Sequence, residues 1–415
     1  MSSHPVIRWT EAGLAHSARW RSENGISPHP RVVVADEQMS ADTAYRLACE
    51  GTALLWRGDF QNARQMLIAM ARRVDQKARK AHEVSSALRK NQKSQKSSKA
   101  KAPAVLPSEI ATTAVAPIDA FNRHRLAQSQ RARTLGMLLL PLSGDYTVPL
   151  RRAPDVEQAC AEAYGPREIG AASGDSLVAM RELLGMIGAH EWRKKGVEVP
   201  ALADRIHPHY GVFAPVRGEY VGLVADTPLP SLAQGKKSLA FDIGTGTGVL
   251  AAVLARRGIE RIVATDMDPR ALTCARDNIR RLKLSAQVQV VEANLFPEGR
   301  AQLVVCNPPW IPARPSSSME GAIYDPESRM LHGFLAGLAA HLEPGGEGWL
   351  IISDIAEHLG LRSRDELIAA IEKGGLTVIE KRDVRPVHPR VFDATDPLHS
   401  ARAAEVTSLW RLASK

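Results

Sequence analysis

Two short motifs in fixed order constrain this chain more than anything else in it: Gly244-Thr245-Gly246-Thr247-Gly248 and, about sixty residues later, Asn307-Pro308-Pro309-Trp310. Each follows an apolar run, Leu239 to Ile243 for the first and Gln302 to Cys306 for the second. Alone, each is ambiguous, because alternating glycines recur in many loops and a Pro-Pro pair often only punctuates a turn. In this order, each at the end of a strand-like run, they point to one sheet whose carboxyl edge carries two loops with a joint task.

The flanking pattern agrees. From about Val197 the chain alternates as a parallel α/β domain does. Leu239 to Ile243 reads as a buried strand, Val249 to Arg257 as a helix and Arg261 to Thr265 as a second strand. Pro269 to Leu282 reads as a helix with proline in its first turn. Val288 to Glu292 and Gln302 to Cys306 are the next strands. A helix around Met330 to His341, a strand at Gly348 to Ser353 and a helix at Arg364 to Lys373 follow. Leu376 to Arg382 and Val406 to Leu412 read as a closing antiparallel pair.

Strand, glycine loop, helix, then a strand ending in an acid is how a Rossmann-like sheet holds an adenosine cofactor. A dinucleotide loop needs its third glycine three residues after the second, so that a helix N-terminus meets the pyrophosphate. Here Gly246 and Gly248 are two apart, and Asp242 stands two before Gly244. That spacing suits a cofactor without phosphate, whose methionine tail lies against the loop backbone. Asp266, ending the second strand, can accept from both ribose hydroxyls. Its alternative, capping the next helix, falls better to Asp268, directly before Pro269.

Phe241-Asp242-Ile243-Gly244-Thr245-Gly246-Thr247-Gly248, Thr265-Asp266-Met267-Asp268, Ala293-Asn294-Leu295-Phe296 and Asn307-Pro308-Pro309-Trp310 together resemble the successive motifs of class I S-adenosylmethionine-dependent methyltransferases. Within that class they resemble the group that includes HemK-like glutamine methyltransferases and rRNA guanine-N2 methyltransferases. Val212 to Glu219 is similar to the segment before the first motif in the HemK-like branch. The resemblance covers Arg205 to the C-terminus. It implies a Rossmann-like seven-stranded sheet, S-adenosylmethionine as cofactor, and a place near the adenine for Asn294, with Leu295 beside it. Asp is frequent at that position in the HemK-like branch, and Asn resembles the rRNA branch.

The Asn-Pro-Pro-Trp motif suits a specific chemical problem. A conjugated NH2, on an amide or a base, is a poor nucleophile because its lone pair is delocalised. The Asn307 side-chain carbonyl and the Pro308 backbone carbonyl, fixed by the stiff Pro308-Pro309 unit, are two acceptors for its two N–H groups. Positive charge building on that nitrogen in the transition state is stabilised by the same acceptors, so positioning and electrostatics suffice without a dedicated base. Trp310 can stack on the planar group, or serve as a core aromatic after a turn. Cys306 reads as a buried strand residue. Pro312 to Glu320 is a polar loop suited to cover a substrate, and Asp325 can line the pocket or cap the next helix.

Upstream the signals are coarser. Residues 1–76 read as a mainly helical N-terminal region, with Ser40 to Gln76 at helical spacing around a Gly58-Asp59 break. Residues 77–120 form a linker that begins with a lysine-rich stretch, Lys77 to Lys101, readable as a phosphate-binding arm or as a solvated tether. Residues 121–196 read as a hairpin, Met137 to Leu142 against Tyr146 to Leu150, and an amphipathic helix over Asp175 to Lys195. Residues 121–196 are thus expected to be a substrate-recognition region ahead of a methyltransferase domain at 197–415.

A net charge of +9 favours an anionic partner such as RNA. The four scattered cysteines, Cys49, Cys160, Cys274 and Cys306, exclude a disulfide scaffold or zinc knuckle and fit a reducing cytosol. His207-Pro208-His209 has no third ligand nearby, so no metal is expected. The longest apolar run stops at Pro141, far short of a membrane span, and a cytoplasmic protein is expected. The expected activity is N-methylation of a planar exocyclic or amide NH2, foremost on a nucleobase of ribosomal RNA. The alternatives are a glutamine side chain in a translation protein, or a non-enzymatic S-adenosylmethionine-binding protein.

Overall fold

The computed structural model describes residues 4–77, 116–167, 174–235, 237–315, 318–387 and 389–415. Of the lysine-rich stretch, only Lys77 falls among them. The chain divides into two compact units, Met1–Ala161 with Pro166–Gly185, and Glu162–Gly165 with Met186–Lys415.

The first unit is built on a six-stranded mixed sheet, which corrects the expectation of a mainly helical region. Its strands are β1 (Val6–Glu11), β2 (Leu14–Arg21), β3 (Val32–Ala35), β4 (Ala53–Trp56), β5 (Leu138–Leu142) and β6 (Ser176–Ala179), in the order β1-β2-β6-β5-β4-β3. Helices α1 (Ala41–Cys49), α2 (over 60–77), α3 (Pro117–Leu135) and α4 (Glu157–Tyr164) connect them. Every residue of β4, which falls inside the stretch read as helical, is buried. A short apolar run buried on both faces shows no alternation, so its pattern cannot be told from that of a buried helix. The expected hairpin is corrected as well. The Ser143 turn closes, with Ser143 N–H donating to the Thr147 carbonyl at 2.8 Å. Yet β5 pairs with β4 and β6, and Tyr146 to Leu150 forms no strand. The helix expected over Asp175 to Lys195 gives its first residues to β6 and continues as α5 (Met180–Lys195), where Trp192 is 48% exposed.

In the second unit a small hairpin, β7 (Val197–Val199) with β8 (Asp204–Ile206), and helix α6 (Glu219–Asp226) precede the large sheet. That sheet and its helices follow in chain order: β9 (Leu239–Ile243), α7 (Val249–Arg256), β10 (Arg261–Asp266), α8 (Pro269–Arg281), β11 (Val288–Glu292), β12 (Ala301–Cys306), α9 (Arg329–His341), β13 (Leu342–Ser353), α10 (Ile355–His358), α11 (Arg364–Lys373), β14 (Leu376–Val384), α12 (His399–Ala404) and β15 (Thr407–Ser414). The seven strands lie in the order β11-β10-β9-β12-β13-β15-β14, with β15 antiparallel to both neighbours.

Alternate residues of the central strands feed two apolar layers, because successive side chains point to opposite faces. Ala240, Ile262, Leu303 and Val305 pack with α7, whereas Phe241, Ile243, Val304 and Cys306 pack with α9 and α11. The register sets the functional edge. Ile243 is opposite Thr265 on one side and Cys306 on the other, so the chain leaves β9 and β12 side by side. Gly244 and Asn307 therefore start adjacent loops. Among the described residues no helix is long and apolar enough to cross a membrane.

Candidate active site at the carboxyl edge of the sheet

The glycine loop turns through three left-handed positions, Gly244 (φ +71°), Gly246 (φ +54°) and Gly248 (φ +81°), which side chains rarely adopt. At Gly244 a Cβ would lie 2.4 Å from the Met330 methyl of α9, so the loop and that helix share space only glycine leaves. At Gly246 a Cβ would meet nothing within 4 Å, so the crest of the loop is open.

Three polar residues hold the loop in place. Asp242, on β9, is 1% exposed, and its Oδ2 accepts from Thr245 Oγ1 at 2.6 Å and from the Ala251 N–H at 3.0 Å. It ties the loop to the first turn of α7. Asp266 lies at the end of β10, its Oδ2 accepting from the Gly246 N–H at 3.0 Å. Its Oδ1 accepts from the N–H groups of Met267 and Asp268 at 2.8 and 3.0 Å. Asp268 caps α8 by accepting from the Arg270 N–H, as expected. The third residue, Asn278, was not anticipated. It is 1% exposed on α8, donates from Nδ2 to the carbonyls of Thr247 (3.1 Å) and His207 (3.2 Å), and accepts from the His207 N–H at 2.8 Å. An asparagine on a helix stripe otherwise formed by Leu272, Ala275 and Ile279 was the available signal.

Burial pushes the Asp242 carboxyl up to about 6, against the pull of the Thr245 and Ala251 hydrogen bonds, and the Asp266 charge adds to the rise. A carboxyl raised on folding binds its proton more tightly in the native state. Its contribution to stability therefore falls as pH rises from the ordinary carboxylate value near 4 towards 6. Asp242→Asn should remove that fall. Urea unfolding of both proteins across about pH 4 to 7 reads it out, and identical pH slopes would contradict the assignment.

The third motif, Ala293 to Phe296, follows β11 at the same edge of the sheet. Asn294 is exposed, and Leu295 (φ +69°) accepts from Thr265 Oγ1 at 2.6 Å through its carbonyl. Leu295 and Phe296 fit against Gly333 and Gly337 of α9, where a Cβ would approach them to 2.7 and 2.6 Å. Phe296 stacks on His341 with centroids 4.2 Å apart. The open crest at Gly246, the strand-end carboxylate of Asp266 and the exposed Asn294 fit an adenosine cofactor without phosphate. In such a site Asp266 would face the ribose, Asn294 and Leu295 the adenine, and Gly244 to Gly248 the amino-acid tail.

Beyond β12, Pro308 is buried, while Asn307, Pro309 and Trp310 are half-buried. Trp310 packs against both apolar layers, and its Nε1–H donates to Asn307 Oδ1 at 2.9 Å. One lone pair of the expected acceptor oxygen is thus taken by the chain itself, and the other is left for a ligand. Arg217, from the loop before α6, lies over the Trp310 ring at 5.7 Å. Burial raises the Cys306 thiol well above its usual value, so it is not poised as a nucleophile. Asp325 Oδ2 accepts from the Met330 N–H at 2.6 Å and so serves the start of α9. Arg314, Pro315, Pro326, Glu327 and Arg329 line a cleft of about 400 Å³ in the segment after the motif. Of the histidines, His207 Nδ1 contacts the Arg193 carbonyl at 2.6 Å and His209 Nε2 contacts Asp277 at 3.2 Å.

A family model described as ribosomal protein L11 methyltransferase (PrmA) matches residues 228–323, which hold the glycine loop and the Asn-Pro-Pro-Trp motif. A ribosomal protein L11 methyltransferase of Pelotomaculum thermopropionicum is 39% identical over 144 residues, covering 34% of this chain and 39% of its own length. A release factor glutamine methyltransferase of Moorella thermoacetica is 35% identical over 134 residues, covering 31% of this chain and 47% of its own. Among solved structures, a ribosomal protein L11 methylase of Lactobacillus delbrueckii subsp. bulgaricus aligns at 18% identity and a TM-score of 0.33, covering 48% of this chain and 79% of that one. The chain spans half or less of the length of the curated relatives it matches. Its motifs and these matches support a class I S-adenosylmethionine-dependent methyltransferase domain of the HemK-like group at the C-terminus.

Proposed function

We propose that this protein is an S-adenosylmethionine-dependent N-methyltransferase whose acceptor is an NH2 group on a protein of the translation apparatus, with a glutamine carboxamide the favoured chemistry. The observation that carries the reading is Asn307 Oδ1, set at the sheet edge beside the glycine loop with one lone pair free. The cofactor, when bound, supplies an electrophilic methyl group. The chain's part is to orient the acceptor. Asn307 Oδ1 and the Pro308 carbonyl receive its two N–H groups, which aims the nitrogen lone pair. Half-buried Trp310 and buried Pro308 keep water from the reacting face. The relatives matched across this region are named for ribosomal protein L11 and for release-factor glutamine, and that ranks a protein acceptor ahead of a nucleobase.

One observation favours the nucleobase reading. The methyltransferase unit has as many acidic as basic residues, so the net charge of +9 belongs to the N-terminal unit, where Lys77 to Lys101 concentrates it. Deleting Lys77 to Lys101 should leave the fold and the cofactor affinity unchanged, because that stretch has no apolar stripe to bury. If the acceptor is RNA held by this stretch, the deletion should weaken RNA binding and flatten its salt dependence. RNA affinity at several salt concentrations, with and without the segment, separates the two readings. A protein acceptor predicts an unchanged slope, and a flattened slope would move the nucleobase into first place.

A further inference from the structure

We propose that Arg217 is a positioning residue, which sets the Asn307 amide through Trp310 while paired with the buried carboxylate of Glu405. This inference rests on the N-methyltransferase reading. An asparagine amide offers a carbonyl at one end and an NH2 at the other, and a half-turn exchanges them. Only the carbonyl accepts from the substrate nitrogen. What fixes the orientation here is the Trp310 indole, whose Nε1–H donates to Oδ1 at 2.9 Å. The indole therefore needs a fixed plane of its own.

Arg217 provides it. Its guanidinium carbon lies 5.7 Å from the Trp310 ring centroid, within the range of a cation–π contact. The guanidinium is held from behind, with Nη2 donating to Glu405 Oε1 at 3.1 Å. Glu405 is 4% exposed, and the same oxygen accepts from Ser353 Oγ at 2.8 Å. Ser353 ends β13 and accepts in turn from the Ile355 N–H at 3.0 Å. The Arg217 Nε–H is buried with no hydrogen-bond partner. A guanidinium in a rich polar network would be placed by that network, whereas this one has a single carboxylate and an aromatic face. The order of contacts is Ser353, Glu405, Arg217, Trp310, Asn307, joining the end of β13, the residue after α12, the loop before α6 and the motif after β12.

A purely structural Arg217, tying its loop to Glu405, predicts different kinetics from a positioning one. The test uses the full chain, methyl-labelled S-adenosylmethionine, and protein from an extract of cells lacking this gene as acceptor. Arg217→Met should lower turnover about ten- to a hundredfold, the scale set by a small misplacement of a reacting group. Cofactor affinity by calorimetry should stay within about twofold, because no contact above reaches the glycine loop. Arg217→Lys, which keeps the cation and the partner carboxylate, should recover most of the loss. In an Asn307→Ala background Arg217→Met should cost less than about a further twofold, since the group it positions is gone. Multiplying losses, no rescue by lysine, or a parallel loss of cofactor affinity would each overturn the proposal. A second readout does not depend on turnover. The Trp310 indole N–H resonance, assigned by its disappearance in Trp310→Phe, should shift in both Asn307→Ala and Arg217→Met. An unmoved resonance in Arg217→Met overturns the positioning role. A wild-type chain that transfers no methyl group would instead remove the N-methyltransferase reading and leave the resonance to decide this one.

Discussion

Asn307→Ala is expected to keep cofactor affinity and lose turnover by about a hundred- to a thousandfold, the scale seen when one preorganised electrostatic partner of a transition state is removed. The reason is geometric. Asn307 leaves β12 one residue beyond Cys306, which pairs with Ile243, so it starts the loop next to the glycine loop, and its side-chain oxygen accepts from Trp310. On the proposed reading, substituting it removes an acceptor of the reacting nitrogen, and it removes none of the hydrogen bonds by which Asp242, Asp266 and Asn278 shape the loop. Single-turnover rates and calorimetric affinities on the same preparations check both halves. A near-normal rate would make Asn-Pro-Pro-Trp a structural turn. A lost affinity would mean that Asn307 supports the cofactor site, not the acceptor.

Asp266→Ala is expected to have the reverse profile, weakening S-adenosylmethionine by at least about ten- to a hundredfold. Its carboxylate acts twice. It receives three backbone N–H groups, from Gly246, Met267 and Asp268, which fix the crest of the loop to the end of β10. Placed at that strand end, it is also the acceptor we propose for the ribose hydroxyls. Asp266→Asn separates the roles, because an amide oxygen can keep one or two backbone donors while the charge is lost. Calorimetry should rank the affinities wild type, Asn, Ala, and equal affinities for all three would contradict the assignment.

The C-terminal domain was legible in the sequence because each of its turning points carries a residue with a local physical reason. The glycines at 244, 246 and 248 occupy left-handed positions, Pro269 opens α8 behind the Asp268 cap, and Ser363 with Glu366 forms a capping box on α11. Strands between such markers had little freedom to be misplaced. The N-terminal unit lacks them at its strands. Ala53–Trp56 is buried throughout and Ser176–Ala179 runs directly into α5, so strands there read as parts of helices, whereas Leu138–Leu142 reads as a strand but pairs with distant β4 and β6.

The site was legible where its members sit in motifs at strand ends. Asp242 and Asp266 both bond to the glycine loop, and Asp242 is a buried latch between the loop and α7. Trp310 bonding back to Asn307 depends on a rotamer that sequence does not encode. Arg217 and Glu405 stand 188 positions apart, and only the folded sheet brings them together. The Asn278 contacts to Thr247 and His207 likewise cross the chain.

The most direct test is methyl transfer itself. The purified chain, given methyl-labelled S-adenosylmethionine, is presented separately with the protein and RNA fractions of cells lacking this gene. The account predicts label in the protein fraction, on a side-chain carboxamide nitrogen of a translation protein, and its near-complete loss with Asn307→Ala. A chain that binds the cofactor yet labels neither fraction would contradict it.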